Sequence, residues 1–166
     1  MLLNNLKNIF YGYAAGSAQH IPNLSGSGIN VSLNSVQTIQ SLTSYNVQLY
    51  GVNAGNSWID VGYGDDAVTG SDYCLADSNY SNRKLTAIAA GRNTPTLGDI
   101  FNGYMNFRND TAENVIVKEI GICGNPTSGN NIVNMILYYR KVLDNPITIA
   151  PGEVYSFNYK VRIKDS

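Results

Sequence analysis

Apolar and polar residues alternate strictly over the last patterned segment of the chain, between positions 155 and 164. One face holds Tyr155, Phe157, Tyr159, Val161 and Ile163. A period of two is typical of a β-strand with one buried and one solvated face. Pro151-Gly152, just before this segment, supplies a fixed φ and then a residue that tolerates φ above zero, as a type II turn requires. The pattern predicts a β-hairpin that ends in this strand.

Shorter stretches of the same alternation predict further strands. They are Ile29, Val31 and Leu33; Tyr45, Val47 and Leu49; and Ile59, Val61 and Tyr63. Between residues 114 and 124, apolar residues occupy both odd and even positions. This strand is therefore expected near the centre of a sheet, covered on both faces. The last third of the chain is typical of a β-meander. Short strands separated by turn residues predict an all-β fold, specifically a β-sandwich of Ig-like or jelly-roll type.

Two segments have helical rather than strand spacing. The first is a short amphipathic pattern at Leu2, Leu3, Leu6, Ile9 and Phe10, and the second is a single turn at residues 96 to 101. A stretch rich in glycine and serine follows the first, so residues 1–28 are predicted to be an N-terminal arm, helical or extended, and residues 29–166 the sandwich domain. The arm either docks on a neighbouring subunit or closes the open end of its own sandwich. The sequence favours neither over the other.

The amino-acid composition narrows the range of possible functions. Hydrophobic residues make up 43% of the 166 residues, and charged residues make up only 14%, with a net charge of −1. So little charge suits a protein packed against other subunits, which predicts a homo-oligomer. Eleven basic and twelve acidic residues give no basic stripe for nucleic acid. No apolar run approaches the ~20 residues of a membrane helix, and the first residues do not resemble a signal peptide, so synthesis in a cytoplasm is expected.

The candidate catalytic groups are few. His20 is the only histidine, and a dyad with Cys74 or Cys123 has no supporting motif. These three residues also lack the close spacing of a zinc site, and reduced thiols are favoured over a disulfide. Gly26-Ser27-Gly28 lacks the remaining residues of a nucleotide-binding loop and is interpreted as a turn. The sequence therefore predicts no catalytic, cofactor or metal residue.

Clustered carboxylates are the alternative to that prediction. The cluster that could bind a calcium ion consists of Asp60, Asp65, Asp66, Asp72 and Asp77. Its spacing does not follow the EF-hand pattern, and aspartates often cap turns. A glycosidase pair could be formed by Asp65 or Asp66 with Glu119 or Glu153, although nothing in the sequence indicates a sugar cleft.

Tyrosine is the dominant aromatic residue, with twelve copies against four phenylalanines and one tryptophan. The tyrosines on predicted strands or loops include Tyr11, Tyr13, Tyr45, Tyr50, Tyr63, Tyr73, Tyr80, Tyr104, Tyr138 and Tyr139. A tyrosine ring can be buried while its hydroxyl stays polar, which serves protein interfaces and also sugar binding. Core and subunit contacts are favoured over sugar binding.

Several runs of residues in the second half resemble a known family. They are VGYGDD at 61–66, SDYCL at 71–75, FRN at 107–109 with Thr111, VIVKEIGI at 115–122, ILYYRKVL at 136–143 and PITIAPGE at 146–153. These runs are similar to strands and turns of the small all-β structural proteins of tailed bacteriophage virions. The resemblance extends from Trp58 to Lys164, and the first 57 residues contribute little to it.

The resemblance implies a non-enzymatic virion component, made in the host cytoplasm and located in the phage particle. The leading hypothesis is an auxiliary capsid subunit, a decoration or head-fibre protein, that binds the shell and forms a homo-oligomer, with a trimer favoured. The alternative is a tail, baseplate or fibre-associated protein. A third hypothesis, of a different class, is a carbohydrate-binding module that attaches the virion to host glycans.

Overall fold

The computed structural model describes residues 3–5, 7, 8, 11, 19–31, 57–92, 99–124 and 136–162. Its strands are β1 (Gln19–Pro22), β2 (Gly28–Val31), β3 (Ser57–Gly62), β4 (Leu85–Arg92), β5 (Asp99–Asn109), β6 (Val115–Gly124), β7 (Ile136–Ile149) and β8 (Val154–Arg162). One helical turn, α1, spans Asn79–Asn82, and residues 4, 5, 7, 8 and 11 also have helical backbone. The predicted all-β class is confirmed.

The strands form three antiparallel sheets. β1 and β2 make a hairpin, while the two larger sheets have the orders β3-β6-β7 and β4-β5-β8. Hydrophobic residues of both larger sheets belong to one buried cluster. The two sheets also touch through Tyr139 of β7 and Tyr159 of β8, whose ring centroids are 5.3 Å apart. The Ig-like or jelly-roll assignment of this arrangement stays a prediction.

Two strand predictions agree closely with the structure. β6 lies between β3 and β7 and is almost entirely buried, as its apolar residues at both parities predict. In β8, Phe157 is buried and its neighbours Ser156 and Asn158 are exposed, so the predicted faces agree with the structure up to residue 160, while Ile163 lies outside the described part. β7 pairs with β6 over its whole length, from Ile136 opposite Gly124 to Ile149 opposite Val115, with two shifts of register along the way.

The predicted hairpin before β8 is wrong, although its turn is right. Glu153 N donates to Ala150 O at 3.0 Å, and Gly152 has a φ of 75°, as a type II turn requires. The turn, however, connects β7 in one sheet to β8 in the other, so the last strands are not a meander. Gly152 N donates to Asn109 O, and Asn109 N donates to Glu153 O, which fastens the crossing to the end of β5.

Asn109 stabilises this crossing with its side chain. Its buried Nδ2 donates to Ile149 O and to Glu113 O, each at 2.8 Å. Its Oδ1 accepts from the backbone and the hydroxyl of Thr111. An amide that uses both ends in this way satisfies backbone groups of two segments at once, the loop after β5 and the end of β7, which explains an asparagine at a fully buried position.

The first residues of the chain lie against β7. The Leu3 side chain is fully buried, Leu3 N donates to Tyr138 O at 3.0 Å, and Asn5 Nδ2 donates to Leu137 O at 3.1 Å. These contacts are with the chain's own sheet. The predicted division at residue 28 falls on the first residue of β2 and stays a prediction.

The predicted helical turn at residues 96 to 101 is wrong where it can be compared, because residues 99 to 101 begin β5. Residues 96 to 98 lie outside the described part, as do the predicted strand at 45 to 49 and Leu33. Within the described residues, no helix has the length and apolar character needed to cross a bilayer.

Candidate functional site

The segment between β3 and α1 covers one face of the β3-β6-β7 sheet. Along β6, Glu119 and Gly121 alternate with Ile120 and Ile122 and therefore lie on the opposite face from them. A Cβ placed on Gly121 would lie 2.9 Å from the side chain of Leu75, so Leu75 sits directly over this position. Asp77 N donates to Glu119 Oε1 at 3.1 Å. The segment from 63 to 78 thus turns this face of the sheet into an interior.

Arg140 of β7 is the centre of that interior. Its Nε donates to Glu119 Oε2 at 2.7 Å, and one terminal nitrogen donates to Asp72 Oδ2 at 2.7 Å. The other terminal nitrogen donates to Asp66 O at 3.0 Å. Arg140 is only 3% exposed and Glu119 is 0% exposed. The guanidinium therefore joins two strands to the covering segment in a geometry that suits its planar set of donors.

Glycines make room for this network. A Cβ on Gly62 would lie 2.4 Å from Glu119 Oε1, because Glu119 pairs with Gly62 across β3 and β6. Any larger residue at position 62 would push the Glu119 carboxylate away from Arg140. The local sequence of β3, which ends in glycine, is thus matched to the buried acid on its neighbour.

The network shifts the pKa values of its members. Burial acts to lower the pKa of Arg140, but the hydrogen bonds and charges of Asp72 and Glu119 outweigh it and raise that pKa. Partial burial acts to raise the pKa of Asp72, but hydrogen bonds from Thr69 and Arg140 outweigh it and lower that pKa. Because Asp72 is stabilised in its charged form, its contribution to stability is complete above the unfolded pKa of about 3.9 and is lost as the pH falls through the lower folded value.

A cavity of about 190 Å³ lies beside the network, under the same segment. Both cysteines line it together with Asp60, Leu24 and Tyr80. Asp60 is buried and its Oδ1 accepts from Val61 N and Tyr80 N, so its carboxylate holds α1 against β3. The Asp60 carboxylate in the cavity wall is therefore used by the fold.

The two cysteines are free thiols, as predicted. Burial raises the pKa of Cys123 well above its ordinary value, and burial also raises the pKa of the half-buried Cys74. A raised pKa lowers the fraction of reactive thiolate at any given pH. These environments are those of structural cysteines rather than of nucleophiles.

We expect Cys74 to react slowly with iodoacetamide at pH 8 and Cys123 to react only when the protein unfolds, because Cys123 is also closed to solvent. Peptide mass spectrometry after timed labelling gives the two rates separately. In concentrated guanidinium chloride both thiols should react at the same fast rate. Equal labelling of both cysteines in the folded protein would contradict the buried position of Cys123.

The other candidate groups do not meet at one place. His20 is exposed on β1 with Nδ1 3.1 Å from Asn30 Oδ1, and it is not among the residues that line the cysteine cavity. Gly26 has a φ of 82° in the loop between β1 and β2, which agrees with its interpretation as a turn residue.

The five aspartates of the calcium hypothesis have separate roles. Asp60 and Asp72 make the contacts described above, Asp65 pairs with Lys118 at 2.9 Å, and Asp66 contributes its carbonyl to Arg140. The Asp77 carboxylate accepts a hydrogen bond from Asn82 Nδ2. Among the described residues, no three histidine, cysteine or acidic side chains are grouped so that they could hold a metal ion. For the glycosidase hypothesis, Glu119 is bound to Arg140, whereas Glu153 Oε2 accepts from Ala150 N in the turn before β8.

The tyrosines divide between core and surface. Tyr63 and Tyr138 are buried, Tyr80 stacks on Trp58 with centroids 5.8 Å apart, and Tyr139 packs between the sheets. Tyr11 and Tyr73 are exposed. Tyr104 is half-buried, and Tyr13, Tyr45 and Tyr50 lie outside the described part.

The Arg140–Glu119 pair is the feature that sequence reasoning missed. Both residues stand in runs quoted for the family resemblance, but their partners are 21 and 68 positions away along the chain. The available signal was an acid and a base inside otherwise apolar strands, since such residues are almost never fully buried unless they are paired. Comparisons with protein-family models, with curated proteins and with solved structures find no match to this chain.

Proposed function

We propose that this chain is a non-enzymatic structural protein of a tailed bacteriophage virion, most directly an auxiliary capsid subunit that assembles with itself and with the shell. The observation that carries the proposal is where the family-like runs lie. Glu119 and Arg140 form the buried pair, Asn109 and Gly152 fasten the crossing between the sheets, and Asp72 completes the network. The residues that resemble the virion family are thus residues on which this fold depends.

The surface supports a role in assembly. Large apolar side chains are exposed at Tyr11, Tyr73, Ile88, Ile116 and Val154. Ile88 and Val154 lie on β4 and β8, the outer strands of their sheet among the described strands. Outer strands offer unpaired backbone groups, and apolar side chains beside them favour contact with another chain. With only 14% charged residues, little opposes such contacts.

The chemistry of the interior supports a structural role in the same way. The titratable groups that the fold brings together, namely Arg140, Glu119 and Asp72, are each bound to other groups of the chain. The thiols nearby are held in their protonated form by burial. These groups hold the covering segment on the sheet.

Self-assembly and attachment to the particle can be tested in two successive experiments. Light scattering of the purified protein should give a multiple of the 18.0 kDa chain, three times that mass for a trimer. Gold-labelled protein added to phage particles that lack it should then decorate heads in electron micrographs. Decoration of tails would support the alternative assignment to the tail. A monomer that binds neither heads nor tails would refute the proposal.

A further inference from the structure

A groove of about 520 Å³ opens on the surface where β6 begins. It is lined by the loop before β6 (Thr111, Glu113 and Asn114), by Ile116 and Lys118 of β6, and by Tyr63, Asp77 and Lys84 on the other side. This volume lies within the range of 300–1,000 Å³ that is typical of small-molecule sites. None of the structural roles described above requires a groove here.

The groove has an apolar wall. Ile116 is 47% exposed although it stands in the central strand of its sheet. The ring of Tyr63 also lines the groove but is only 8% exposed, and it is held in place by a hydrogen bond between its hydroxyl and the buried Asn79 Oδ1. Lys84 Nζ covers the ring at 4.3 Å from its centroid. Since Lys84 is about half exposed and lies 3.9 Å from Asp77, its ammonium is held by this ring contact and by a long, solvated ion pair.

The groove also has polar groups that the fold does not use. The side chains of Glu113 and Asn114 are exposed, and within the described part of the chain neither makes a hydrogen bond. A carboxylate accepts hydrogen bonds, and an amide both accepts and donates them. These two neighbours therefore offer a ligand donors and acceptors at no cost to the fold.

The charges of the groove balance. Lys84 and Lys118 give the lining two positive side chains and Asp77 and Glu113 give it two negative ones, while Asp65, outside the lining, pairs with Lys118 at 2.9 Å. A groove without net charge has no electrostatic preference for phosphate, nucleic acid or an acidic peptide. A ligand that matches an apolar wall, a set of mixed donors and acceptors and no net charge is a neutral sugar, because a pyranose has an apolar C–H face and a rim of hydroxyl groups.

We propose that this groove is a binding site for neutral carbohydrate, with the sugar ring against Ile116 and Tyr63 and its hydroxyl groups on Glu113 and Asn114. Binding displaces the Lys84 ammonium from the Tyr63 ring. The site gives the virion protein a means to hold host-surface glycans, and it would act alike on a capsid or on a tail protein.

A glycan array that contains both neutral and acidic oligosaccharides tests the ligand class, and titration with the neutral glycan that binds best tests the site. The amide NMR signals of residues 111 to 118 should shift on titration. Glu113→Ala and Asn114→Ala should each weaken binding about fivefold, the loss expected for one hydrogen bond. Asn158→Ala, the same change at an exposed position on β8, is the matched control and should bind as the native protein does.

Three outcomes would overturn the proposal. They are no neutral glycan retained on the array, binding unchanged when Glu113 and Asn114 are both replaced by alanine, and a preference for acidic glycans that disappears at high salt. Both replaced residues are exposed, so unchanged melting temperatures will show that the variants fold. Incorporation of the double variant into particles should be normal, which separates failure of this site from failure of the structural role.

Discussion

Replacing Arg140 with alanine is expected to lower the free energy of unfolding by about 3–5 kcal/mol, a large part of the stability of a domain of this size. The substitution leaves the Glu119 carboxylate at a position with no solvent exposure and without its cationic partner. It also releases Asp72 and the carbonyl of Asp66, which attach the covering segment to β7. Denaturant titration followed by circular dichroism measures the loss.

Two variants serve as controls for Arg140. Lys141, the next residue, pairs with Asp144 at the surface, so Lys141→Ala should change the free energy of unfolding by less than about 1 kcal/mol. Arg140→Met combined with Glu119→Leu removes both charges and keeps the volume, so it should lose less stability than Arg140→Ala alone. If Arg140→Ala stayed within about 1 kcal/mol of the native protein, the buried pair could not have the role assigned to it.

The second large effect is expected for Phe157→Ala, which should cost about 3–5 kcal/mol because it removes a buried ring and leaves a cavity. Phe157 is 3% exposed and packs edge-on against Phe107 of β5, with centroids 5.8 Å apart. The ring of Tyr155 also packs against the ring of Phe157, with centroids 4.8 Å apart. The substitution therefore disturbs an aromatic group that links β5 and β8 within the core. Thermal and denaturant unfolding both report the loss.

Lys160→Ala is the matched control on the same strand, and it should cost no more than about 0.5 kcal/mol because the side chain is exposed. The side chains of Phe157 and Lys160 lie on opposite faces of β8, so comparing the two variants shows which face is buried. Similar losses for the two variants would contradict the register in which Phe157 pairs with Met105.

Strands with a clear pattern, such as β6 and β8, could be predicted from the sequence because their signal is local, whereas β1 and β4 were not predicted. Alternation of apolar and polar residues predicts that Phe157 is buried and Ser156 exposed. Apolar residues at both odd and even positions predict that β6 lies at the centre of its sheet. The short apolar pair Ile100-Phe101 was ambiguous, since two adjacent apolar residues fit a helical turn as well as a strand. The following alternation of Met105 and Phe107 with polar residues extends the strand through it.

What the sequence did not predict depends on contacts between distant positions. The Pro151-Gly152 turn specifies a reversal of the chain, but turn chemistry does not determine whether the next strand pairs with the previous one or crosses to the other sheet. The pairing is decided by β5, which offers Asn109 and its backbone to the turn. The Arg140 network also joins residues that are far apart along the chain, because it needs the covering segment to fold back over β6.

The central claim, that this chain is a structural part of a phage particle, is tested most directly by quantitative mass spectrometry of virions purified on a density gradient. A structural part of the particle is expected to band with the particles, in a fixed ratio to the major capsid protein that persists after a high-salt wash. Presence of the chain in the lysate but its absence from purified virions would show that it is not a structural part of the particle.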